Sequence, residues 1–103
     1  DYVFDGEWST PYNEEQFPSP VNHYGYTKWL AEEYIRCYKE TWRIIRTSWL
    51  FGGEGSNFVK TIAEKSRRNE KVAVVDDQVG SPTHVSDLSL SILNIMSAPS
   101  GVY

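Results

Sequence analysis

Tyr24 and Lys28 stand four residues apart in the run Pro20-Val21-Asn22-His23-Tyr24-Gly25-Tyr26-Thr27-Lys28. On a helix that spacing stacks the two side chains on one face, one turn apart. A free phenol keeps its proton to a pKa of about 10, and an ammonium beside it favours the phenolate and draws that value toward neutrality. Such a pair suits proton transfer to or from a carbonyl or hydroxyl oxygen. The same spacing also serves plain packing of a lysine stem against a tyrosine ring, so the pair takes its meaning from what surrounds it.

The helix that carries the pair is expected to start near residues 20–22, where Pro20 suits a first turn and Asn22 a cap, and to run to about Glu40. Its apolar stripe reads Leu30, Ala31, Tyr34, Ile35 and Tyr38, with Glu32, Glu33, Arg36, Lys39 and Glu40 on the wet side. Residues 1–6 read as the end of a strand running into a turn, and residues 7–20, with Pro11, Pro18 and Pro20, as a loop. Residues 42–51 form a mostly apolar run rich in β-formers and bounded by Gly52-Gly53, the pattern of a buried parallel strand. Ser56 or Asn57 caps a second helix with Phe58, Val59, Ile62 and Ala63 on its inner face. Residues 72–75 read as another strand, closed by a turn at Asp76-Asp77. A loop through Gly80-Ser81-Pro82-Thr83 leads to a third helix from near Ser86-Asp87, and Gly101-Val102-Tyr103 opens a further strand. This alternation predicts an α/β fold with a parallel sheet.

Composition narrows the function. A net charge of −4 without a basic stripe argues against nucleic acid as a partner. Lys65, Arg67 and Arg68 make the one short basic cluster, placed to complement a helix end. The single cysteine, Cys37, excludes an internal disulfide, and its neighbours Ile35 and Tyr38 suggest a partly buried thiol. Two histidines and one cysteine, widely separated, offer no metal-ligand spacing, and His23 and His84 read as plain polar residues. No signal peptide or long apolar run points to a membrane, so the expected compartment is the cytoplasm. No Gly-x-Gly-x-x-Gly loop occurs, and Gly52-Gly53-Glu54-Gly55 reads as a turn. If the alternation belongs to a dinucleotide fold, its cofactor-phosphate half is absent, and the 103 residues are expected to be one partial domain, the C-terminal half of that fold plus substrate-side elements.

The ordered motifs carry a resemblance. Asp1-Tyr2-Val3-Phe4-Asp5-Gly6, followed by the Tyr24–Lys28 run and Ala31-Glu32, is similar to the extended short-chain dehydrogenases. Arg46-Thr47-Ser48-Trp49-Leu50-Phe51-Gly52, Asn57-Phe58-Val59-Lys60-Thr61 and Val74-Val75-Asp76-Asp77-Gln78-Val79-Gly80-Ser81-Pro82-Thr83, with Asp87-Leu88 beyond, narrow it. Together these blocks resemble the dTDP-4-dehydrorhamnose reductases over nearly the whole chain.

The resemblance implies a Rossmann-like doubly wound sheet and an enzyme in which NADPH or NADH reduces the C4 ketone of a dTDP-linked 4-dehydro-6-deoxyhexose. Tyr24 matches the family's proton donor, and Lys28 the residue that lowers the phenol's pKa and holds the nicotinamide ribose. Thr47 and Ser48 fall where the family's strand nears the nicotinamide; a strand hydroxyl also commonly bonds backbone. Trp49 and Asp1 match substrate-contacting positions, though an indole at Trp49 could equally plug the core. Asn57, Asp77, Gln78 and Thr83 are further candidates to shape the nucleotide-sugar pocket, Asn57 doubling as a cap and Asp76-Asp77 as a turn. A third catalytic hydroxyl, Ser or Thr, directly precedes the family position matching Asp1. Two alternatives stay open: a non-catalytic binding or regulatory relative, and another nucleotide-sugar epimerase or dehydratase. NADH against NADPH, and a homodimer of the full-length protein, are also left open.

Overall fold

The computed structural model describes residues 2–38 and 40–103. The elements run α1 (His23–Tyr38), β1 (Arg43–Ile44), β2 (Leu50–Phe51), α2 (Phe58–Arg67), β3 (Thr83–His84), α3 (Val85–Ile95) and β4 (Gly101–Val102). Two parallel ladders result. Arg43 and Ile44 of β1 face Gly101 and Val102 of β4, and Leu50 and Phe51 of β2 face Thr83 and His84 of β3. The predicted parallel α/β architecture is observed. The chain divides into two compact units, one of residues 1–46 and 94–103, the other of residues 47–93.

In the first unit, Asn22 caps α1 as its sequence predicts. Its Oδ1 accepts the Gly25 N–H at 2.7 Å, satisfying one of the donors that a helix start leaves free. The faces of α1 differ from the periodic reading. Its two buried residues are Gly25 and Glu32, whereas Leu30, Tyr34, Ile35 and Tyr38 of the predicted apolar stripe are exposed, and so is Cys37. The burial of Glu32 has its reason fourteen residues downstream. Arg46 reaches its carboxylate with both fork nitrogens, Nε to Oε1 at 3.0 Å and Nη2 to Oε2 at 2.7 Å. Arg36 adds a second cation 3.6 Å from Oε2. A charge so paired can be buried where an unpaired one cannot. The Arg46 guanidinium also lies over the Phe4 ring, 5.0 Å from its centroid, which ties residues 2–6 to the same cluster. Val3 and Ile44 are the buried apolar side chains among the described residues.

Residues 2–6 form no strand. Their backbone is joined instead through the Ser19 N–H, which donates to the Val3 carbonyl at 2.8 Å, and Tyr2 takes a left-handed φ of 65° that a pleated strand does not admit. The 42–51 run, predicted as one strand, is two. β1 pairs with β4, β2 pairs with β3, and Trp49 between them has a φ of 46° that breaks the pleat. Residues 72–75 form no ladder among the described residues, so the strand expected there is not observed.

In the second unit, Asn57 caps α2 as predicted: its backbone is extended (φ −149°, ψ 166°) and its Oδ1 accepts the Lys60 N–H at 2.9 Å. Lys65 and Arg67 occupy the last turn of α2, where positive charge complements the helix dipole. His84 Nδ1 accepts the Ser86 N–H at 3.2 Å, a cap on α3 that its sequence did not announce.

Candidate active site

The Tyr24–Lys28 pair sits at the start of α1, in the first unit. Tyr24 and Lys28 share a helix face as their spacing requires, with the Lys28 ammonium 5.4 Å from the Tyr24 ring centroid. Both side chains are exposed, so the phenol and the ammonium are open to a ligand. The Tyr24 ring is bounded on another side by Tyr2, whose ring meets it edge-on at 5.8 Å and 88°. Tyr24 thus has one aromatic edge and one cation fixing its ring.

A residue that sequence reasoning passed over makes this possible. Gly25, directly after Tyr24, is buried against the Tyr2 backbone. A Cβ at position 25 would fall 1.9 Å from the Tyr2 carbonyl oxygen and 3.1 Å from the Pro20 Cβ. Only a residue without a side chain lets the first turn of α1 close onto the segment that carries Tyr2. The signal available in sequence was a glycine inside a helical pattern, which otherwise costs about 1 kcal/mol against alanine and so asks for a packing reason.

Nearby on the opening segment, the Tyr12 hydroxyl donates to Asp5 Oδ1 at 2.7 Å and the Glu7 N–H donates to the same oxygen at 3.1 Å. These two bonds, the Tyr12 one first, hold the Asp5 carboxyl below the usual carboxylate range. The Tyr12 ring stacks on Phe4 at 4.2 Å, fixing the loop that the prolines mark.

The remaining candidates lie in the second unit. Thr47 and Ser48 fall between β1 and β2, outside both strands. The Ser48 hydroxyl donates to the Ser81 carbonyl at 2.8 Å, the backbone-bonding role open to such a hydroxyl, and keeps its lone pairs to accept. Trp49 is partly exposed at 37%, so it does not plug a core. Its left-handed φ costs about 1–3 kcal/mol for a bulky residue, and the surrounding bonds hold it there: the Thr83 N–H donates to the Trp49 carbonyl at 3.3 Å. Strain of this kind concentrates at functional positions. Asp1 lies outside the described residues. The structure therefore brings Tyr24 and Lys28 together in one unit, and Ser48 and Trp49 together beside the 80–83 segment in the other. No cluster of His, Cys, Asp or Glu suited to a metal occurs among the described residues, nor a helix long and apolar enough to cross a membrane.

Parallel ladders, flanking helices and a Tyr–Lys pair one turn apart define a Rossmann-like α/β chain. The chain belongs to the family described as RmlD substrate binding domain, which it matches over residues 1–102. Among its relatives, the spore coat polysaccharide biosynthesis protein SpsK of Bacillus subtilis is 43% identical over 103 residues, covering all of this chain and 36% of that protein. A dTDP-4-keto-6-deoxy-D-glucose reductase of Streptomyces niveus is 40% identical over 105 residues, with the same coverage. Among solved structures, that of a dTDP-4-dehydrorhamnose reductase of Bacillus anthracis in complex with NADP superposes with a TM-score of 0.90 at 41% identity, over 99% of this chain and 37% of that one. The chain spans about a third of the length of the curated relatives it matches. The resemblance to dTDP-4-dehydrorhamnose reductases read from the motifs is borne out.

Proposed function

We propose that this chain is the catalytic-helix and substrate-side portion of a reductase that converts the C4 ketone of dTDP-4-dehydro-6-deoxy-L-mannose to the hydroxyl of dTDP-L-rhamnose. The observation that carries the reading is the exposed Tyr24 hydroxyl with Lys28 one turn away, in a chain whose relatives are named as ketoreductases of dTDP-sugars. NADPH or NADH, when bound, supplies the hydride that reaches C4. An exposed hydroxyl and ammonium on one helix face are the donor set that a nicotinamide ribose, rich in acceptor oxygens, calls for.

Each residue then has a defined task. As C4 is reduced, the carbonyl oxygen gains negative charge, and Tyr24 delivers its proton to that oxygen. Lys28 places positive charge beside the ring whose oxygen gives up the proton, and its three N–H donors hold the ribose hydroxyls. Thr47 and Ser48 line the approach to the nicotinamide, and Ser48 accepts there because its own proton is engaged by Ser81. Trp49 offers an indole face to the apolar side of the 6-deoxyhexose, and Asp1 contacts the same sugar. The use of nucleotide sugars and nicotinamide cofactors supports a cytoplasmic location.

The test is direct. The intact protein, supplied with NADPH and the dTDP-4-dehydro sugar, should oxidise the cofactor and yield a dTDP-6-deoxyhexose with a C4 hydroxyl. Binding of both ligands without turnover would favour instead the non-catalytic relative.

A further inference from the structure

The Asp-Asp-Gln-x-Gly-Ser-Pro-Thr block serves above as a family mark, yet one of its residues has a physical task of its own. Gly80 lies under the indole of Trp49. A Cβ at position 80 would stand 2.9 Å from Cζ2, 3.0 Å from Cε2 and 3.2 Å from Cη2 of that ring, closer than a methyl can approach. The φ of Gly80 lies outside the left-handed region, so its backbone is one that alanine also adopts. Space for the ring, and not chain conformation, is what asks for glycine at this position.

The other end of the contact is equally determined. Trp49 is held at φ 46°, directly before β2. Its carbonyl is bonded by the Thr83 N–H, the preceding Ser48 is bonded to the Ser81 carbonyl, and the following Leu50 is in register with Thr83. The backbone under the indole is thereby stapled on both sides to residues 81–83. With the backbone of residues 48–50 held in this way, a methyl group at position 80 presses on the ring.

From this we infer that Gly80 is a positioning residue that sets the plane of the Trp49 indole, and through it the affinity for the 6-deoxyhexose. The inference rests on the proposal that Trp49 meets the sugar. Gly80 touches neither substrate nor cofactor itself; it acts by letting the ring lie flat on the loop. A larger residue tips the indole into the space that the sugar's apolar face occupies.

The experiment uses Gly80→Ala in the intact protein, with two readouts. The first is the indole N–H resonance of Trp49, assigned by its disappearance in Trp49→Phe, in the absence of any substrate. It should shift in Gly80→Ala while the resonances of the other three tryptophans stay in place. The second is kinetic. KM for the dTDP-4-dehydro sugar should rise about tenfold or more, with kcat and the Kd for NADPH changed less than twofold. In a Trp49→Phe background, which removes the indole's outer ring, Gly80→Ala should change KM less than twofold. An unmoved indole resonance, or an equal KM effect in both backgrounds, overturns the proposal. Should the wild-type protein reduce no dTDP-sugar, the enzymatic reading and the sugar-affinity role fall together, while the resonance still decides whether Gly80 seats the ring.

Discussion

Removing either partner of the Glu32–Arg46 pair should destabilise the protein far more than loss of a surface ion pair does. The side chains are 8% and 12% exposed, so each charge has given up nearly all its water. Two charge-assisted bonds of 3.0 and 2.7 Å replace that hydration. Stranding one member of such a pair costs about 3–5 kcal/mol. The two ends are not equivalent. In Arg46→Ala the Glu32 carboxylate keeps Arg36 at 3.6 Å, so the loss should sit near the lower figure, about 3 kcal/mol. In Glu32→Ala the buried Arg46 guanidinium loses its carboxylate partner while Arg36 keeps Glu33 at 2.9 Å, and the loss should approach about 5 kcal/mol. Replacing both together, as Glu32→Leu with Arg46→Met, strands no charge and should bring stability back to within about 1.5 kcal/mol of the parent. Urea denaturation of the intact protein and its three variants measures all of these. Single-variant losses below about 1 kcal/mol, the range of exposed pairs, would refute the claim that this pair is desolvated and anchors α1.

Gly25→Ala should lower the melting temperature although alanine is the better helix former by about 1 kcal/mol, because its Cβ meets the Tyr2 carbonyl; a stabilised variant would remove the close approach from the account. Tyr12→Phe should raise the Asp5 titration midpoint, followed by carboxyl NMR, back toward the ordinary range, since the Tyr12 hydroxyl is the first cause of its depression. With a folded value below the unfolded one, the stabilisation from Asp5 is present above about pH 4 and is lost as pH falls through the lowered midpoint, so Tyr12→Phe should weaken that acid dependence.

What could be read from the residues was local. Pro20 and Asn22 marked the start of α1, Asn57 marked α2, and the four-residue spacing put Tyr24 and Lys28 on one face, because caps and helical periods are set by neighbours in the chain. What could not be read depended on distant partners. Helix periodicity puts Glu32 on the wet side because it knows nothing of Arg46, whose fork arrives from beyond β1. The strands expected at the opening residues and at 72–75 have β-forming composition, but a strand is defined by its ladder, which composition does not announce, and neither segment forms one among the described residues. The break in the 42–51 run came from the left-handed Trp49, a conformation that residue type argues against. Gly25 and Gly80 were visible as glycines, yet their reasons, the Tyr2 carbonyl and the Trp49 indole, are tertiary contacts.

The central claim is that Tyr24 donates the proton to the C4 oxygen. Tyr24→Phe in the intact protein changes one atom and keeps the ring that meets Tyr2 and Lys28. NADPH-dependent reduction of the dTDP-4-dehydro sugar should fall about 10²–10⁴-fold in kcat, the range that general-acid catalysis contributes, while the Kd for NADPH stays within twofold. A Phe variant that reduces the sugar at the parent rate would contradict the account.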